Sequence, residues 1–197
     1  MSSLNYNKFR IWVGRVFGLI LLVFAGEELN SYALFVIAAG FFIRIWATGY
    51  IHKDKEVTMA GPYKLLRHPL YLGNFIVGLG LTLFVNVWEL TVLYIPVFFI
   101  VYYKKMKLEE QYLSGAFGDK YEIYKKTTPL FIPKLTNLAV KDNIKFNYQN
   151  VILNREHLNL LGVVIIITCF FTYQSYFGII KNTVLLMISK GEIMTIT

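Results

Sequence analysis

From Leu70 to Tyr103 the chain runs for 34 residues with a single charged side chain, Glu89. As one helix this segment would be about 51 Å long, whereas the hydrocarbon core of a bilayer is only ~30 Å thick. It must fold back on itself. Asn86-Val87-Trp88-Glu89 is the natural place, because it combines polar groups with an interfacial tryptophan. A membrane hairpin is therefore expected, and the composition agrees. Charged residues make up 16% of the chain and hydrophobic ones 56%; soluble domains carry about 25% charged residues. Mean hydropathy is +0.50. These values exclude a soluble globular domain, and also disorder, which needs low hydrophobicity and high charge.

Three further runs have the length of a span. They lie at about Phe9 to Gly26, Leu29 to Tyr50 and Leu158 to Ile180. The first is interrupted by Arg15 and is expected to be an uncleaved anchor. Arg44 sits near the far end of the second, where it could snorkel to the interface. Pro96 predicts a kink in the second arm of the hairpin, which neighbouring helices can tolerate. The fold class expected is all-α: a polytopic membrane helical bundle of about five transmembrane helices with a cofactor pocket on its cytoplasmic side. Residues 1–139 would form the core and 140–197 a polar connection plus one more span.

The short loops agree on orientation. Lys8 and Arg10 precede the first span, Lys53, Lys55, Lys64 and Arg67 separate the second and third, and Lys104, Lys105 and Lys107 follow the fourth. Glu27, Glu28 and Glu89 mark the opposite turns. By the positive-inside bias the N-terminus and the segments 51–69 and 104–157 face the cytoplasm, and Lys181 and Lys190 dissent mildly. The formal charge of +8 needs no nucleic-acid partner, because the cations line membrane loops. A single Cys169 excludes an intramolecular disulfide. No HExxH, CxxC, GxSxG or P-loop occurs, so no metal and no nucleotide hydrolysis is expected.

Chemistry concentrates in two segments beside membrane entry points. In the first, residues 58–73, Gly61-Pro62 marks a turn and Pro69 suits the first turn of a helix. Arg67 and His68 then lie at a helix N-terminus, a ready receptor for a carboxylate or phosphate. Equally, Arg67 and Lys64 would suit headgroup anchoring, with Tyr63 and Tyr71 in an aromatic belt. In the second, Met106, Leu113, Phe117, Tyr121 and Tyr124 trace one helical stripe that includes the adjacent Glu109 and Glu110. Two carboxylates there are costly unless a cation balances them. That cation would be Lys105 pairing with Glu109, Arg67 pairing with either glutamate, or a cationic ligand. Gly78-Leu79-Gly80 would permit either close helix packing or close approach of a cofactor. The lone His52 and His157 read as interfacial.

The string Gly61-Pro62-Tyr63-x-x-x-Arg67-His68-Pro69-x-Tyr71-x-Gly73 is followed, after the hairpin, by Glu109-Glu110-x-x-Leu113-x-x-x-Phe117-Gly118-x-x-Tyr121-x-x-Tyr124. Together they resemble the isoprenylcysteine carboxyl methyltransferase family, grouped with the phospholipid methyltransferases. The resemblance covers roughly residues 30–133. It implies an integral-membrane enzyme of a bacterial cytoplasmic membrane, using S-adenosylmethionine to methylate a lipid or other lipophilic acceptor. By position it implies that Tyr63, His68, Pro69, Leu70, Tyr71 and Glu109 bind the cofactor and that Arg67 and Glu110 belong to the catalytic machinery. Eukaryotic members carry a substrate-facing arginine four residues before the first glutamate. Lys105 stands there in this chain and supplies charge without a bidentate fork. A nicotinamide-dependent membrane reductase, or a non-catalytic membrane protein, are the alternatives left by the residues alone.

Overall fold

The computed structural model describes residues 3–24, 28–51, 57–139 and 144–189. Glu27, His52, Lys53, Lys55 and Lys190 lie outside the described residues. Among those described, the chain is helical with no strand. Helix α1 spans Ser3–Val23, α2 Ala33–Tyr50, α3 Pro69–Phe84, α4 Trp88–Phe117, α5 Asp119–Thr127, α6 Tyr148–Leu153 and α7 Glu156–Ser189. Two of these are long and apolar enough to cross a membrane by length and composition, namely α2 and the Glu156–Tyr176 part of α7. The apolar stretches Trp12–Val23 in α1 and Pro69–Phe84 in α3 are shorter.

The apolar run does fold back. Helix α3 stops at Phe84, Asn86 takes a left-handed φ of 58°, and α4 starts at Trp88 with Glu89 in its first turn, where the helix dipole favours a carboxylate. This turn is sealed by Phe84 and Val85, both fully buried among Leu21 of α1, Ala33 of α2, Leu90 of α4 and Phe170 of α7. Helix α4 then continues through Pro96 for 30 residues, about 45 Å, so its second half carries Glu109 and Glu110 well beyond the apolar bundle.

Helices α2 and α3 form the tightest pair. A Cβ on Gly40 would stand 2.7 Å from the backbone nitrogen of Val77, and one on Gly73 would stand 2.9 Å from the Gly40 carbonyl oxygen. Backbone lies against backbone there, so neither neighbour can swing aside. Gly80 likewise faces Ile37, and Gly78 faces the Tyr94 ring, so the glycine pair of α3 serves packing. Gly40→Ala is expected to cost about 1–3 kcal/mol through overpacking, read as a lower unfolding midpoint of the purified protein.

Two expectations need correction. The stripe running from Met106 to Tyr124 is not one helix. Gly118 takes a φ of +54°, ends α4, and starts α5 in a new direction. Tyr121 and Tyr124 nevertheless return to Leu113 and Phe117 and close a small core with Val57. Arg44 does not snorkel either. It is held inside by Glu156, the first residue of α7. That contact exists because residues 144–155 run back over α2. The Asn147 amide donates to the Gly49 carbonyl at 2.9 Å, the Phe146 ring covers Gly49, and Arg155, at φ 57°, turns the chain into α7.

Candidate functional site

The segment ahead of α3 is shaped by Gly61, whose φ of +58° starts a single 3-10 turn, Gly61–Lys64, with Pro62 in its first positions. Leu65 and Leu66 bury themselves behind it at 5% and 2% exposure. Residues of α5 and of the segment after it then fasten it. The Arg67 amide donates to the Pro129 carbonyl, the Lys134 amide donates to the Leu65 carbonyl, both at 2.9 Å, and the Tyr124 hydroxyl donates to the Tyr63 carbonyl at 2.6 Å. Arg67 and His68 are thus presented on a braced loop, with Pro69 opening α3 behind them.

Across from this loop stand the paired glutamates of α4. Arg67 and Glu110 form an ion pair with side chains 10% and 3% exposed. Lys107 Nζ reaches the other Glu110 oxygen at 3.3 Å from the outside. His68 lies between the two carboxylates, with Nδ1 3.8 Å from Glu109 and Nε2 3.8 Å from Glu110. Burial works against a charge on Glu110, but His68, Arg67 and Lys107 outweigh it and hold the carboxyl down at about 2. Burial pushes the Tyr121 hydroxyl up to about 12, Glu110 adds to the rise and Arg67 opposes it. Tyr63 and Tyr124 are raised by burial as well, so all three phenols stay protonated.

These groups border a cavity of about 740 Å³, within the ~300–1,000 Å³ usual for small-molecule sites. Tyr63, Arg67, His68, Pro69, Leu70, Tyr71 and Glu109 all line it, together with Tyr102 and the Leu113, Phe117, Tyr121, Tyr124 group. The Tyr71 ring lies 5.5 Å from both the His68 and Tyr102 rings, and all three residues line the cavity, which gives it an aromatic wall. Several buried polar atoms at its edge have no hydrogen-bond partner among the described residues: Arg67 Nε, His68 Nε2 and the Tyr121 hydroxyl. Buried donors are rarely left so, and their presence on residues that line one cavity suits a polar ligand.

Two residues singled out in the sequence stand elsewhere. Glu110 is not part of the lining; it sits behind Arg67 and His68 and acts on the cavity through them. Lys105 does not line the cavity either, although it falls between Tyr102 and Glu109 on the same helix, and its side chain is partly exposed. His157 is exposed.

The structure also brings in residues that the motifs missed: Arg44, Asn74, Asn154, Glu156 and Asn159. The available signal was Arg44 itself, a lone charge in an apolar run. Such a residue is a functional candidate by default, but its partner lies 112 positions away.

The family model for the isoprenylcysteine carboxyl methyltransferase (ICMT) family matches residues 18–115, about half of the chain. Protein-S-isoprenylcysteine O-methyltransferase of Schizosaccharomyces pombe is 36% identical over 108 residues, which are 55% of this chain and 45% of that protein. The cobalt-zinc-cadmium resistance protein CzcN of Cupriavidus metallidurans is 34% identical over 95 residues, 47% of this chain and 44% of the relative. The nickel-cobalt-cadmium resistance protein NccN of Alcaligenes xylosoxydans xylosoxydans is 33% identical over the same share of each chain. The alignments therefore span somewhat under half the length of these curated relatives. No solved structure matches.

Proposed function

Since the chain belongs to the isoprenylcysteine carboxyl methyltransferase family, we propose that it is a membrane methyltransferase that takes its methyl group from S-adenosylmethionine. The acceptor would be a lipophilic or membrane-accessible molecule, an isoprenylcysteine-like carboxylate or a phospholipid amine. Helices α1, α2, α3, the Trp88–Tyr103 half of α4, and α7 would cross the bilayer, with the N-terminus and the Glu109 end of the cavity in the cytoplasm.

One observation carries this proposal. Arg67, His68 and Tyr121, which carry buried polar atoms without a hydrogen-bond partner among the described residues, line the same cavity as the half-exposed carboxylate of Glu109, 3.8 Å from His68 Nδ1. An amino-acid end of a ligand, anionic at one group and cationic at the other, matches that pairing. Bound S-adenosylmethionine supplies a methyl group on a positively charged sulfur, which transfers as the charge disperses. Within the chain, His68 and Arg67 would hold the carboxylate and Glu109 the amino group. The faces of Tyr63, Tyr71 and Tyr102 would lie against the cation. Glu110 is a positioning residue: it fixes Arg67 and His68 on the loop side without reaching the cavity. A displacement of this kind needs no acid or base when the nucleophile is aligned and water excluded, to which the Tyr71 and Tyr102 rings would contribute.

Calorimetry on the detergent-purified chain tests this. Micromolar binding of S-adenosylhomocysteine and none of NADPH is expected. His68→Ala and Glu109→Gln should each weaken that binding at least about tenfold, the ~1.4 kcal/mol of a charge-assisted contact. If the wild type bound NADPH instead, the methyltransferase proposal would fail. If both variants kept full affinity, the residue roles would fail.

A further inference from the structure

A second concavity, of about 500 Å³, lies where α5 ends. Of its lining, Arg67 alone among the described residues also borders the larger cavity. Lys125 and Lys126 come to it from the last turn of α5, and Lys134 from the segment beyond. No aspartate or glutamate lines it among the described residues. The acid nearest in the chain, Glu122, is 3.6 Å from Lys125 and also accepts from the Ser114 hydroxyl. Lys126 and Lys134 are exposed and form no ion pair among the described residues. A helix C-terminus favours cations, which accounts for Lys125 and Lys126. It does not account for Lys134, which lies outside the helix and lines the same groove.

The backbone sets this groove at a boundary. The Arg67 amide donates to the Pro129 carbonyl and the Lys134 amide to the Leu65 carbonyl, so residues 129–134 begin and end beside the loop that enters α3. Between those two points the Phe131 ring packs on Phe75, Phe98 and Phe99, at 5.9, 6.3 and 5.2 Å between ring centres. Phe75 lies six residues, about 9 Å, into α3. Phe98 and Phe99 belong to the half of α4 proposed above to cross the bilayer. The next residue, Ile132, lines the groove and is 78% exposed, and Leu135 and Ile123 are exposed as well. Open apolar side chains among lysines suit a membrane surface, where the apolar groups enter the acyl boundary and the ammonium groups meet phosphates. We infer that Lys125, Lys126, Lys134 and Ile132 form a docking site for an anionic phospholipid of the cytoplasmic leaflet. The lysines take the phosphodiester and Ile132 the upper part of the acyl chains. A headgroup without an amine leaves its phosphate charge uncancelled, so a net-negative lipid is favoured over a zwitterionic one. The inference goes beyond methyl transfer and takes from that reading only the membrane placement of α3 and α4.

Dioctanoylphosphatidylglycerol and dioctanoylphosphatidylcholine, equal in their chains and different in net charge, test the site by calorimetry on the full chain in nonionic detergent. The glycerol lipid is expected to bind at least about tenfold more tightly. Lys126→Ala/Lys134→Ala should weaken it about tenfold or more and leave the choline lipid within about twofold. Ile132→Ser should weaken both lipids about threefold, through the lost apolar contact. Lys104→Ala removes another exposed lysine, one that sits over the Tyr6 ring away from the groove, and should leave both affinities within about twofold. The substituted side chains are exposed, so unfolding midpoints should not move. Equal affinity for the two lipids, an unweakened glycerol lipid in the double variant, or an equal loss in Lys104→Ala overturns the site. Displacement of the lipid by an equal concentration of inorganic phosphate or of hexaglutamate, at constant ionic strength, overturns it too and gives the groove to a soluble anion or an acidic protein segment. Should the double variant fail to fold, unweakened binding in Lys126→Ala overturns the site alone. Failure of the wild type to bind S-adenosylhomocysteine is a separate result, which refutes the donor site and leaves the lipid result standing.

Discussion

Arg67→Ala is expected to destabilise the folded protein by about 3–5 kcal/mol, the cost of leaving a buried carboxylate without its cation. Glu110 is 3% exposed and faces Arg67 directly, while Lys107 touches it from a side chain 45% exposed to the outside. Lys107 compensates only in part, because its exposed ammonium is screened by solvent more than the buried Arg67 guanidinium is. The double variant Arg67→Ala/Glu110→Gln should recover much of the loss, since it removes the orphaned charge along with its partner. Unfolding midpoints of the four proteins in one detergent close the cycle. A loss that persists in full in the double variant would mean that the Arg67 side chain acts through packing, with the ion pair contributing little.

Acid should unfold the same locus. The Glu110 carboxyl is held at about 2 against an ordinary value of 4.5. A carboxyl depressed by folding contributes stability that is complete above its unfolded pKa and is lost as pH falls through its folded one. That difference, about 2.5 units at ~1.36 kcal/mol each, corresponds to ~3 kcal/mol, lost progressively from about pH 5 to about pH 2. Glu110→Gln should start from lower stability at pH 7 and lack this part of the decline, so the two melting curves converge in acid. Parallel curves from pH 7 to pH 3 would show that Glu110 is not held charged by its neighbours. Tyr121, raised to about 12, stays protonated throughout this range and adds nothing to the slope.

Much of the architecture was legible because it is locally encoded. The hairpin follows from an apolar run too long for one helix, and Asn86 supplies the turn. The start of α3 follows from Pro69 and the end of α2 from the polar residues after Tyr50. The loop carrying Arg67 and His68 and the helix carrying the glutamates could be named from residue types and spacing. Their common cavity is a matter of packing. The helix break at Gly118 was hidden because the apolar spacing happens to run through it. The docking of residues 144–159 on α2 left no periodic trace, since it uses backbone groups such as the Gly49 carbonyl.

Helical class, turns and the two chemically dense segments follow from residue order alone. Run length, proline and glycine positions and charge placement act over a few residues, and their consequences can be read where they stand. Which charges meet is a product of packing. Arg67 chose Glu110 over Glu109, and Arg44 found Glu156 across 112 residues. Ion pairing in a poorly solvated interior depends on separations of a few ångströms, and those are set by how closely α2, α3 and α4 pack and where α7 is laid against them.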